Sequence, residues 1–275
     1  MSYLKILNLQ FNKYFLTTSL EENTIYGIYC IDSLIREDFL KILAGINHNN
    51  NSIFMIDEDK EENIFDNENY FKNRIYIDFS HRYLKTLNVN TISEMFKTRF
   101  NKEFDMSKYK EFVSFTNIRN EVLLSNEYQF TDLGVNLASF CLFKGLKYKY
   151  NIINNPVINI KNSDMKKRIY GNICLKELNP IIGFDNLRDC KEYCDKLIVF
   201  GDYQNLVVVD VKNDNFLIST DNIIIRNKLF NLNNEIISIN NYTKEELKYL
   251  SKNKVKYKII TFNEVIKLLG GNDEK

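Results

Sequence analysis

The tightest constraint in this sequence is a strand, a turn and a helix in immediate succession near its start. Thr24 to Ile31 (TIYGIYCI) alternates β-branched and aromatic residues, the pattern of a buried strand. Asp32-Ser33 follows, a pair suited to capping a helix. Ile35, Phe39, Ile42, Leu43 and Ile46 then fall at i, i+4, i+7, i+8 and i+11, one apolar helical stripe, and Gly45 is placed to close it.

The same alternation of types continues downstream. Strand patterns at Ser52 to Ile56, Arg74 to Phe79, Tyr150 to Ile153, Pro180 to Gly183 and Leu197 to Gly201 are separated by helical ones. These are a mostly helical stretch over about 91–146, a helix from Ser163 with Met165, Ile169 and Ile173 on one face, and another over Leu187 to Lys196. Asp57 to Asn69 is acidic and reads as an exposed stretch. Strands alternating with helices imply an α/β fold with a largely parallel sheet. From Leu206 the texture changes to short β-rich runs around predicted helices at Lys244 to Ser251 and Asn263 to Leu269. A boundary near 205 divides the chain into an α/β domain, 1–205, and an accessory region, 206–275.

Composition excludes several function classes. A net charge of +1 offers no general attraction for a phosphate backbone, and the basic runs Lys144 to Lys149 and Lys166 to Arg168 are short, so no nucleic-acid partner is expected. No apolar run approaches the ~18 residues of a membrane span, and Met1 to Lys5 lacks a leader pattern, so a cytoplasmic chain without direct membrane insertion is expected. The five cysteines contain no CxxC, and His48 and His81 have no evident carboxylate or serine partner. No metal site is predicted. Only nine glycines are present, a poor endowment for phosphate loops. The many asparagines, isoleucines and lysines fit an AT-rich coding genome.

Tyr26 to Ile46 (YGIYCIDSLIREDFLKILAGI) resembles the first strand, phosphate loop and first helix of ATP-binding-cassette (ABC) transporter subunits. Both flanks match without a gap. The loop between them differs: where the family has GxxGxGK[ST][ST], this chain has Cys30, Ile31, Asp32, Ser33, Leu34, Ile35, Arg36, Glu37 and Asp38. Such a loop needs glycines to turn successive N–H groups inward, a lysine for the outer phosphates and a hydroxyl for Mg²⁺. No glycine remains, Arg36 replaces the lysine, and Glu37 and Asp38 replace the hydroxyls. These carboxylates are expected to complement the helix dipole and occupy its favourable field. One carboxylate ~5 Å from a phosphate charge costs about 3 kcal/mol at an effective dielectric of 20.

Other motifs occur in family order. Thr131 to Asn136 is similar to the signature loop (LSGGQ or SLGMKQ), with Asp132 at the usual serine, then Leu133 and Gly134. Ile152-Ile153-Asn154-Asn155-Pro156 resembles the Walker B strand ILDEP, with amides for both acids, so neither strong metal binding nor proton abstraction is expected. Asp185 falls at the switch histidine, Lys161 at the D-loop aspartate, and Phe79 or Ser80 near the Q-loop glutamine. Thr261 to Gly270 is similar to the ending of ABC subunits that carry a small C-terminal extension.

The resemblance implies a P-loop NTPase-like ABC nucleotide-binding domain with a helical subdomain and a small α+β C-terminal extension. It implies a degenerate, non-hydrolysing transporter subunit that pairs with an active ABC ATPase subunit and with membrane-spanning subunits on the inner face of the membrane. Peptide export or immunity is in keeping with the family. No cofactor is expected at the chain's own site, with Mg-ATP possible at one shared with the partner. A nucleotide-independent scaffold and a functional transport ATPase are the alternatives. On this reading Arg36 is dispensable, whereas a bulky residue at Gly134 harms the partner's activity.

Overall fold

A computed structural model describes residues 2–30, 32–47, 52–57, 60–79, 148–158, 160, 163–200, 206–212, 216–219, 229–232, 235–238 and 257–264, with a few isolated positions between them. The expected helical subdomain over 91–146, the signature loop with Asp132, Leu133 and Gly134, and Ile31, Ser80 and Lys161 therefore lie outside the described residues, isolated positions apart.

A hairpin that no sequence pattern announces precedes the strand pattern of Thr24 to Ile31. β1 (Ser2–Phe11) and β2 (Tyr14–Glu21) pair antiparallel across Asn12-Lys13. Asn8 has φ 48° where the register shifts between Ile6 and Leu9, and its N–H donates to Thr17 Oγ1 at 2.9 Å. This bulge inserts a residue, so Leu4, Ile6, Leu9 and Phe11 are all buried although their spacing breaks strict alternation.

β3 (Tyr26–Tyr29) runs into α1 (Ser33–Leu43), as the opening pattern requires. The helix buries Arg36, Phe39, Leu40, Ile42 and Leu43, whereas Ile46 is exposed. Gly45, at φ 65°, ends it: the Gly45 N–H donates to Ile42 O and the Ile46 N–H to Lys41 O, both at 2.9 Å. This left-handed closure turns Ile46 out of the expected stripe. β4 (Ile53–Asp57) does not return to the sheet holding β3. It pairs antiparallel with β1 and with β5 (Lys60–Asn63), making a four-stranded sheet in the order β2-β1-β4-β5. The acidic stretch after it is thus part of the fold. β5 and the start of α2 (Glu68–Asn73) lie within it, Ile64 and Asn67 are buried there, and Tyr70 is buried just beyond it.

The central sheet comprises β3, β6 (Arg74–Asp78), β7 (Tyr150–Asn154), β8 (Pro180–Phe184), β9 (Lys196–Val199) and β10 (Val207–Asp210), in the order β10-β9-β3-β8-β7-β6. Every pairing is parallel except that of β10 with β9. α3 (Ser163–Ile173) and α4 (Leu187–Tyr193) supply crossovers, and α4 ends three residues earlier than the pattern suggested. β10 lies past residue 205 and still belongs to this sheet. A third sheet, β12-β13-β11-β14, is antiparallel and formed by β11 (Phe216–Ser219), β12 (Leu229–Leu232), β13 (Glu235–Ser238) and β14 (Tyr257–Ile260).

Aromatic packing fixes the hairpin to the central sheet. The Phe200 ring, just past β9, lies 5.0 Å from that of Tyr14 and 5.1 Å from that of Phe39 on α1, both edge-on. At Gly27 a Cβ would sit 2.7 Å from Cys194 Sγ, so glycine there lets the end of α4 lie against β3. No described helix is long and apolar enough to cross a membrane.

Candidate functional site

An open parallel sheet presents ligands with the carboxyl ends of its strands, beside the amino end of a helix. In this molecule that place is bounded by α1, the end of β7 and the end of β8. Asp32 caps α1, its Oδ1 accepting from the Leu34 N–H at 2.9 Å and the Ile35 N–H at 3.3 Å. The helix amino end is therefore supplied with an anion from within the chain.

One turn in, on the buried stripe, lies Arg36, 1% exposed. Its Nε donates to Asn154 Oδ1 at 3.1 Å and its Nη1 to the Phe184 carbonyl at 2.6 Å. Its Nη2 donates to Asn155 Oδ1 and to Asp185 Oδ1, each at 2.6 Å. The planar guanidinium thus meets acceptors from two strand ends at once, and its charge is paired with Asp185, whose side chain is half-exposed. Asn154 reaches onward: its Nδ2 donates to Asp78 Oδ2 at 2.9 Å, and the Tyr76 hydroxyl donates to the same oxygen at 3.2 Å. Asp78 and Asn154 are register neighbours on β6 and β7.

Backbone geometry completes the arrangement. Asn155 adopts φ 50°, and its N–H donates to the Gly183 carbonyl at 3.2 Å, joining the ends of β7 and β8. A Cβ at Gly183 would sit 2.5 Å from Asn154 Oδ1, 2.9 Å from Leu40 Cδ1 and 3.2 Å from Arg36 Cδ. A side chain there would clash with the Asn154 amide oxygen that accepts from Arg36 and would crowd the arginine's stem. A cavity of about 240 Å³ opens beside the network, bordered by Asn155, Gly183, Asp185, Lys166 and Asp189.

Arg36, Asn154, Asn155 and Asp185, identified separately in the sequence, are thereby brought together. Cys30 is buried, which pushes its thiol pKa up, Ser33 is exposed, and Ile35 packs half-buried against the core. Arg36 is a buried hub, because its position falls on the inward stripe of α1. One expectation is overturned: Glu37 and Asp38 are not at the helix amino end, because α1 already starts at Ser33. Asp38 is exposed, and Glu37 pairs with Lys41 one turn on, a hydrogen bond that raises the lysine's pKa. Asp78 and Tyr76 join the site without having been expected there, and Gly183, expected only as a strand end, borders it. The signal for Asp78 was available: RIYID and YNIIN are parallel strands that each end in a polar residue after an apolar run.

A magnesium-bound phosphate needs free N–H donors, an available cation and oxygen ligands. Here the Leu34 and Ile35 N–H groups serve Asp32, Arg36 serves four acceptors, and both amide atoms of Asn154 are engaged. Among the described residues no cluster of three carboxylate, histidine or cysteine side chains could hold a metal. Each of these groups already has a partner within the chain.

No family model and no curated protein matches the sequence. Solved structures do match the fold. A protein described as a cobalt transport ATP-binding protein aligns over 96% of this chain and 99% of its own, at 14% identity and a TM-score of 0.61. A bacterial ABC transporter cassette, solved as a dimer, aligns over 76% of this chain and 99% of its own, at 10% identity and a TM-score of 0.60. A Clostridium perfringens protein that is part of an ABC transporter complex aligns over 77% and 90%, at 13% identity and a TM-score of 0.52. The chain has the P-loop NTPase-like α/β fold of an ABC transporter ATP-binding cassette. At these identities the likeness is one of fold.

Proposed function

We propose that this chain is an ABC-type subunit of a membrane transporter that does not itself hydrolyse ATP and works beside an active ATPase subunit. The supporting observation is the Arg36 network. Hydrolysis requires a phosphate cradle, a metal and a group that accepts the proton of the attacking water. The cradle's cation here faces into the protein, the metal position is an amide already bonded at both ends, and the proton acceptor's position is Asn155, which cannot act as a base. A frame kept around such a site is suited to docking. In the family's antiparallel pairing, the partner's phosphate loop would face the segment around Asp132, Leu133 and Gly134 of this chain, leaving one composite site. The subunit would lie at the inner face of the membrane, held by membrane-spanning subunits.

Affinity purification from the native cells, followed by Mg-ATP titration of the isolated chain, tests this reading. The expected result is recovery of an ABC ATPase and a membrane subunit, with no saturable binding by the chain alone at micromolar nucleotide. Micromolar binding would overturn the proposed inactivity. Recovery of the chain with neither subunit would overturn the transporter role and favour a nucleotide-independent scaffold on the same fold.

A further inference from the structure

A buried charge is costly unless it is paired and hydrogen-bonded, and Arg36 is among the largest fully buried side chains of the described residues. Its four hydrogen bonds are not distributed at random. Two go to the residues at the end of β7 and two to the residues at the end of β8, while the side chain itself comes from α1. Remove the guanidinium and the oxygens of Asn154, Asn155, Phe184 and Asp185 converge on one point with nothing positive between them. Asn154, Asn155 and Phe184 are themselves buried.

The neighbouring residues are matched to this cation. Asn154 lies between Arg36 and Asp78. Its amide oxygen faces the guanidinium and its amide nitrogen faces the carboxylate, so charge at both ends sets its orientation. A flipped amide would oppose both partners. An aspartate at 154 would suit Arg36 but would confront Asp78 across the parallel pairing of β6 and β7. Arginine at 36 and asparagine at 154 thus form one consistent set, and Gly183 supplies the space for it.

We infer that Arg36 is a ligand built into the chain: its guanidinium fills a cation site at the carboxyl ends of β7 and β8 and holds the Asn154–Asn155 and Phe184–Asp185 segments in one arrangement without nucleotide or metal. It is a positioning residue. The inference rests on side-chain geometry and stands apart from the transporter role, since it concerns only how this chain organises its own strand ends.

Thermal melting of the full chain and its Arg36 variants tests it. Arg36→Ala is expected to lower Tm by on the order of 10 °C, the consequence of leaving buried acceptors unpaired. Low-millimolar guanidinium chloride, entering by the cavity beside Asn155 and Asp185, recovers part of that loss. Sodium chloride at equal ionic strength does not. Arg36→Met, which keeps most of the volume, stays destabilised because the oxygens remain unpaired. A Met variant as stable as the parent, or an Ala variant that responds equally to guanidinium and sodium, would overturn the inference. Should Arg36→Ala not fold, Asp185→Asn alters only the half-exposed end of the network. It is expected to speed exchange of the Asn155 amide, which donates to the Gly183 carbonyl, with little change in Tm, and unchanged exchange there would refute the clamp. None of these measurements involves nucleotide, so the clamp and the transporter reading can fail separately.

Discussion

An arginine where the phosphate-loop lysine would stand changes direction as well as chemistry. A lysine offers a compact charge at the end of a flexible stem, whereas the guanidinium is a rigid fork that can bond several acceptors in one plane. At position 36 that fork is satisfied inside the protein, and the neighbouring amides become its ligands. Not every buried polar atom is so well served. The Tyr3 hydroxyl is buried without a hydrogen-bond partner, while its ring stacks on Tyr150 with centroids 5.1 Å apart. Burial pushes this phenol's pKa well up. Tyr3→Phe keeps the ring and removes an uncompensated hydroxyl, so it is expected to stabilise the chain by about 1 kcal/mol in urea denaturation. A loss of stability would show that the hydroxyl is satisfied in solution.

Strands and helices differ in how far they could be read from the sequence, and the reasons are local. β3, α1, β7 and β8 were legible because their apolar periods are unbroken, whereas α4, capped by Asn186 at its start, has no glycine to mark its end and read three residues too long. The β1–β2 hairpin was not, since the bulge at Asn8 shifts the inward set by one residue. β5 was hidden by composition: Lys60–Asn63 is a charged edge strand with no apolar residue to signal it. Asparagine misled for a related reason. Of the seven described non-glycine residues with positive φ, six are asparagines, including Asn155 and Asn179, so this glycine-poor chain uses asparagine for left-handed turns. An abundance attributed to genome composition is in part structural. Contacts between elements also predict a pH response. Asp195, between α4 and β9, accepts from Lys212 Nζ at 2.5 Å and from Lys176 Nζ and the Ile25 N–H at 3.1 Å each, tying three segments together. Burial alone would raise its pKa, but these hydrogen bonds outweigh it and the carboxyl lies below its ordinary value. A depressed folded-state pKa stabilises at pH above the unfolded value of ~3.9 and loses that contribution as pH falls through the folded one. Asp195→Asn should therefore cost on the order of 1 kcal/mol at neutral pH, with the difference from the parent closing below about pH 4. A gap that persisted in acid would assign the effect to packing.

Across the whole molecule, a nucleotide-cassette frame surrounds a centre whose polar groups are satisfied among themselves. On the proposed reading, if acids at 154 and 155 were all that hydrolysis lacked, supplying them would start it. The geometry argues otherwise. Asn154→Asp removes the amide nitrogen that serves Asp78 and places a second carboxylate beside the first, in register on adjacent parallel strands. A glutamate at 155 would be drawn to Arg36, which already bonds that position, and would not be free to accept a proton from water. Asp32 would still cap α1, and Arg36 would still face inward. The double variant Asn154→Asp, Asn155→Glu is therefore expected to release no phosphate from Mg-ATP above background. Asn154→Asp alone should melt below the parent at neutral pH and recover as acidification removes the new charge. Sustained turnover by the double variant would show instead that the frame is an ATPase lacking only its acids, because a self-satisfied centre would then have yielded to nucleotide without any change at Arg36.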